Sequence, residues 1–141
     1  MDIPKDLTQW TTEMLKKEQR ALSSDKEDIT IKLFNAKARR REAIDSRKQA
    51  DTTYRYAKES LENRSEIVNY AKANGLLSES DASKLRDAEE NFKSAEKQSE
   101  EANSVVRFHT RICEELQNNL YKIDKGYGEL VAELERRGER I

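Results

Sequence analysis

LRDAEENFKSAEKQSEEANSVVRFHTRICEELQNNLYKIDKGYGELVAELERRGERI, residues 85–141, decides the fold of this chain. Counting by sevens from Leu85 gives Phe92, Ser99, Val106, Cys113, Leu120, Tyr127, Leu134 and Ile141. The interleaved series is Ala88, Ala95, Ala102, His109, Leu116, Ile123 and Leu130. Steps of three and four place both series on one stripe of a helix, the seam along which coiled-coil helices bury each other. A seam of this kind closes without a pocket, so it specifies an architecture before any chemistry.

Upstream, Ser78 precedes Asp81 by three residues, an N-capping signature that starts the long last helix, expected over 79–138. Before it, Asn74-Gly75 closes another helix, because glycine takes up the left-handed conformation of a helix C-terminus at little cost. That helix, expected over 25–73, repeats the heptad spacing through Ile29, Leu33, Ala36, Arg40, Ala43, Arg47, Ala50, Tyr54, Ala57, Leu61, Arg64, Val68 and Ala71. Its small seam residues let two helices approach closely. A turn over 74–78 between two long amphipathic helices makes an antiparallel hairpin, with residue i facing about residue 151 − i. The two helices would be roughly 75 and 90 Å long.

The first residues carry a further helix, expected over 4–22, with Pro4 in its first turn and an apolar stripe of Ile3, Leu7, Trp10, Met14 and Leu22. Ser24-Asp25-Lys26-Glu27 has capping-box spacing, at which either a second helix starts afresh or Ser23-Ser24-Asp25 sits inside one long, slightly bent helix; the fresh start is the expectation. This break lies level with Gly126 and Gly128, two helix-weakening residues that cost about 1 kcal/mol each relative to alanine. A joint is therefore expected near 23–25 and 126–128 within a single helical domain, 1–141. The first helix then either prolongs the second, extending the hairpin, or folds back into a three-helix bundle that leaves Leu130, Val131, Leu134 and Ile141 for another chain to cover.

Composition agrees with a slender helical assembly: 35% hydrophobic residues are too few for a thick core, and 39% charged residues suit solvated helix faces. A net charge of −1 gives no global attraction to nucleic acid or an anionic bilayer. The lone Cys113 excludes an internal disulfide and, on the seam, reads as a small packing residue. The start MDIPKDLTQW lacks the pattern of a signal peptide and no window has the length of a membrane span, so a soluble, cytoplasmic protein is expected.

The sequence holds no phosphate-binding glycine loop, nucleophile elbow or metal-ligand cluster. Glu89-Glu90, Glu100-Glu101 and Glu114-Glu115 read as solvated faces with basic neighbours, and His109 as a register-fixing seam residue within reach of Arg40 and Glu42. The concentrated charge is Lys37-Ala38-Arg39-Arg40-Arg41, followed by Arg47 and Lys48. Lys37, Arg41 and Lys48 share a helix face and, with Arg39, are the candidate anion- or lipid-binding residues, while Arg40 and Arg47 fall on the seam, where they can reach Glu114 and Glu115. Trp10, Met14, Tyr127, Leu130 and Leu134 form a candidate partner-binding module at the terminal end.

The run Asp81-Ala82-Ser83-Lys84-Leu85-Arg86-Asp87-Ala88-Glu89-Glu90-Asn91-Phe92-Lys93-Ser94-Ala95 resembles the start of the last long helix of BAR-type membrane-curving domains, and the basic helix before it adds to the likeness. The resemblance covers the last two helices; the long first helix of that domain is reduced here to 4–22. It implies a peripheral membrane module using the basic face. In shape, a continuous hairpin with both termini at one end is similar to the central stalk proteins of type III export and rotary ATPases. The expectation from the residues themselves is an elongated all-α antiparallel coiled-coil hairpin, a non-enzymatic spacer, adapter or assembly subunit. It would bind a protein partner or itself, with a membrane surface as the alternative; no nucleic acid, small-molecule substrate, metal or cofactor is expected.

Overall fold

A computed structural model describes residues 6–139. Ile3, Pro4 and Ile141, used in the sequence reading, lie outside that range. A 3-10 turn, Leu7–Gln9, is followed by two long helices, α1 (Thr12–Ala73) and α2 (Glu79–Arg136), which pack against each other as an antiparallel helical hairpin.

Side chains and glycines account for the element ends. Asp6 accepts a hydrogen bond from the Thr8 amide and so caps the 3-10 turn. Thr11 then caps α1, its hydroxyl oxygen accepting from the Met14 amide at 3.1 Å. At the far end of α1, Leu76 N–H donates to Ala71 and Gly75 N–H to Lys72, the paired bonds of a Schellman ending, with Gly75 at φ +68°. Ser78 caps α2 by accepting from the Asp81 amide at 3.1 Å, as its spacing predicts. Gly138, at φ +77°, closes α2 in the same manner as Gly75, with Glu139 N–H donating to Leu134.

Two differences from the sequence expectation concern the terminal end. The helix expected over 4–22 begins, within the described residues, as a 3-10 turn and turns α-helical only at Thr12. No new helix starts at Ser24-Asp25, because α1 passes through both without interruption, and Gly126 and Gly128 likewise sit inside α2. A cap at Ser24 would contribute about 1 kcal/mol. Breaking the helix there would lose backbone bonds and turn Leu15 and Leu22 off the stripe that buries them. Full burial of a leucine is worth roughly 2 to 3 kcal/mol, and both are buried essentially completely, so continuity wins. The first helical segment thus extends the hairpin, and Thr12 and Lys16 meet Arg137 and Glu139 at the end of α2.

The hairpin divides into two contact units, one made of the segments that end at Arg39 and begin at Thr110, the other Arg40–His109. In the first, Leu7, Leu15, Leu22, Leu130 and Leu134 form one core with Trp10, Ile123 and Tyr127 packed on it. Leu33, Ala36 and Cys113 form a second core with Ile112, Leu116 and Leu120. Lys26 pairs with Asp124 at 2.8 Å, within a residue of the expected register. In the second unit the buried part of the seam is rich in alanine: Ala43, Ala71, Ala88 and Ala95 are buried beside Val68 and Val106. Tyr54 meets Phe92 with ring centroids 5.4 Å apart, and Ser99 donates to Asp51 at 2.9 Å, again within a residue of that register.

The continuity of α1 is tested by Asp25→Pro. Proline is tolerated at the first position of a new helix but costs about 3 kcal/mol in a helix interior. The fold described here predicts a loss of that size in urea denaturation, whereas an unchanged midpoint would mean that a helix begins at Ser24.

Candidate interaction surface

The five residues expected to form a terminal partner-binding module are brought together, but mostly facing inward. Leu130 and Leu134 have no exposed surface and belong to the chain's own core. Trp10 and Tyr127 are half-buried against the same core, and Tyr127 accepts a hydrogen bond from Gln19. Met14 alone is largely exposed. The core needs the leucines because α1 extends along α2 here instead of folding back.

A charged clasp closes this end. Arg137 donates from its guanidinium to the Leu7 and Thr8 carbonyls at 3.2 and 3.3 Å, to Thr12 at 3.3 Å and to Glu133 at 3.0 Å. Glu133 is buried and also accepts from Arg136 at 2.8 Å. The hydrogen bonds from Arg136, joined by one from Arg137, hold its carboxyl below the usual glutamate range, against the opposing effect of burial. The clasp fixes the 3-10 turn over Leu15 and Leu134.

The four residues of the candidate anion face, Lys37, Arg39, Arg41 and Lys48, are all exposed, and none forms an ion pair among the described residues. Arg40 is exposed and Arg47 half-buried. Glu89, Glu90, Glu100, Glu101, Glu114 and Glu115 are exposed, as solvated faces require. His109 is half-buried, its ring edge-on to Phe108 at 5.3 Å, while Arg40 and Glu42 point to solvent. Among the described residues no three acidic, histidine or cysteine side chains converge as metal ligands, and no helix is long and apolar enough to cross a membrane.

The feature that does stand out lies in the Arg40–His109 unit. On one side of the hairpin a groove of about 400 Å³ runs between the helices, floored by Ala57, Ala88 and Ala95 and walled by Thr53, Tyr56 and Ser60 of α1 and Asn91, Ser94 and Gln98 of α2. Heptad steps extend those walls. On α1 the rows read Ser46, Thr53, Ser60, Ile67 and Gln49, Tyr56, Asn63, Tyr70; on α2 they read Asn91, Gln98, Val105 and Ser94, Glu101, Phe108. All fourteen side chains are exposed, Glu101 being the one charged residue among them, and the same rows continue within this unit to Glu42, Lys84 and Asp87.

The opposite side carries the charge: Arg41, Lys48, Arg55 and Glu62 follow one another in a row of α1, and Arg86, Lys93, Glu100 and Arg107 in a row of α2. The exposed large apolar side chains are just as unequally placed. Outside the turn, this unit exposes Tyr56 and Tyr70 at 70%, Phe108 at 57%, Val105 at 47% and Ile67 at 45%, and all five lie on the groove side. The seam rows alone do not reveal this side; the signal is the large apolar residues in the two rows flanking the seam on each helix.

Comparison of the chain with protein-family models, with curated proteins and with solved structures finds no match.

The clasp has a defined pH signature. A carboxyl whose folded-state value is depressed adds stability above its unfolded value and loses it as pH falls through the folded one. Thermal unfolding of the unmodified chain should therefore drop on acidification below the ordinary glutamate value of 4.5. Glu133→Gln should lower the melting temperature near neutrality and flatten that acid limb, and an unaltered limb would show that Glu133 does not contribute to it.

Proposed function

We propose that this chain is a non-enzymatic coiled-coil interaction protein, a hairpin spacer, adapter or assembly subunit. Its binding surface is the groove side of the Arg40–His109 unit and not the terminal core. The observation that carries this reading is that the exposed large apolar side chains of this unit outside the turn, Tyr56, Ile67, Tyr70, Val105 and Phe108, all lie on one side, next to an open groove. The apolar seam is spent on holding the two helices together. These side chains contribute nothing to the seam, and in water their exposure is unfavourable unless another surface covers them.

A membrane-surface reading draws on a different observation, the row Arg41, Lys48 and Arg55, whose charges are free of ion pairs among the described residues. One experiment separates the two. A photo-crosslinking phenylalanine analogue is placed at position 56 or at position 48 of the full chain, and adducts are collected in the cells that make it. Protein adducts concentrated at position 56 are the expected result. Lipid adducts at position 48 with nothing at 56 would replace the interaction reading by the membrane one.

A further inference from the structure

We infer that the groove side of the Arg40–His109 unit is the dock for one amphipathic α-helix of a different protein, with an apolar stripe against the groove and lysines or arginines along both flanks. The inference rests on the interaction reading above and names the class of partner.

Backbone chemistry selects a helix. The interior amides and carbonyls of α1 and α2 are bonded within their own helices, so this side offers no free edge with which an extended segment could pair. An extended segment laid across Tyr56, Val105 and Phe108 would bring its unpaired N–H and C=O groups onto apolar surface. A helix satisfies its own. The floor suits one as well, because Ala57, Ala88 and Ala95 carry no bulk beyond Cβ. A third helix can therefore settle over the groove of about 400 Å³ at the roughly 8 to 10 Å of ordinary helix packing.

Register gives the length. The Asp51–Ser99 hydrogen bond puts Phe108 level with Glu42 and Val105 level with Asp45, so the exposed apolar side chains run from position 42 to Tyr70. That is about 28 residues of helix, or about 42 Å. Tyr56 stands at its middle, with Val105 and Phe108 toward one end and Ile67 and Tyr70 toward the other, the aromatic content that binding hot spots favour.

Charge decides the flanks. The rows bordering the groove hold Glu42, Asp87 and Glu101 against Lys84, and the next row outward on α1 adds Asp45, Glu59 and Glu66. The corresponding outer row of α2, Ser83, Glu90, Lys97 and Ser104, is balanced. All six of those carboxylates outside the balanced row are exposed, and none forms an ion pair among the described residues. Around Val105 and Phe108, Glu42 stands on the α1 side of the groove and Glu101 on the α2 side, so basic residues on both edges of an apolar stripe meet a carboxylate. A helix with acidic flanks, an anionic bilayer or a nucleic acid is repelled at the same place. A second copy offering this face would likewise bring three carboxylates and one lysine to their equals.

Titration of the full chain against labelled synthetic helices, followed by fluorescence anisotropy, tests the inference. One probe of about 28 residues carries leucine and alanine along a heptad stripe and lysine on both flanks, and a second carries glutamate in place of the lysines. The lysine-flanked probe should bind at micromolar concentration and the glutamate-flanked one about ten-fold more weakly or worse. Tyr56→Lys with Phe108→Lys, both at exposed positions, should weaken binding roughly a hundred-fold with helicity unchanged. Glu42→Lys with Glu101→Lys should weaken it about ten-fold, whereas Glu62→Lys with Glu100→Lys, on the opposite side, should leave it as it was. No binding, equal binding of the two probes, or an equal loss from the opposite-side pair overturns the inference. So does a dimer of the chain in sedimentation equilibrium that Tyr56→Lys with Phe108→Lys dissolves, since a second copy then covers the face. Protein adducts at position 56 alongside any of those results preserve the interaction reading with a partner of other chemistry, and their absence ends both.

Discussion

The antiparallel register of one seam, satisfied within a single chain, is the constraint on which the rest of this structure depends. Gly75 and Ser78 fix where the chain reverses, and every cross-helix pair follows from that point: Asp51 with Ser99, Tyr54 with Phe92 and Lys26 with Asp124. A coiled-coil seam has no tolerance for a slip of one residue, since a slip rotates the apolar stripe by about 100° off its partner. The register therefore decides which side chains are consumed inside and which are left for other uses.

The two contact units use this register differently. Where the chain ends meet, leucines fill the seam and the Glu133–Arg137 clasp binds the 3-10 turn. Each leucine there would cost about 2 to 5 kcal/mol if cut back to alanine. In the Arg40–His109 unit the buried seam residues are mostly alanine, which buries little area per residue, with Val68 and Val106 and the Tyr54–Phe92 pair as the larger contacts.

Much of the fold is legible in the sequence, and the parts that are not have a common cause. Asn74-Gly75, the Ser78 cap and the two seams are local patterns with few competing readings, and they lead directly to the hairpin. Ser24-Asp25-Lys26-Glu27 misleads because a capping box is also local, worth about 1 kcal/mol. The burial of Leu15 and Leu22 against Leu130 and Leu134 is nonlocal and larger. The same nonlocal burial places Leu130 and Leu134 in the chain's own core: nothing within the C-terminal segment itself tells whether α1 will cover it. The side bearing Tyr56 and Phe108 brings rows of two different helices together, so its large apolar residues acquire meaning only when the two helices are set side by side.

Isotope-filtered nuclear Overhauser spectroscopy on an equal mixture of labelled and unlabelled chains tests most directly that the seam closes within one chain. The account predicts that contacts between the Tyr54 and Phe92 rings, whose centroids are 5.4 Å apart, appear only in the intrachain spectrum. Tyr54–Phe92 contacts between labelled and unlabelled chains would mean that the seam is shared by two molecules, and would contradict both the hairpin and everything derived from its register.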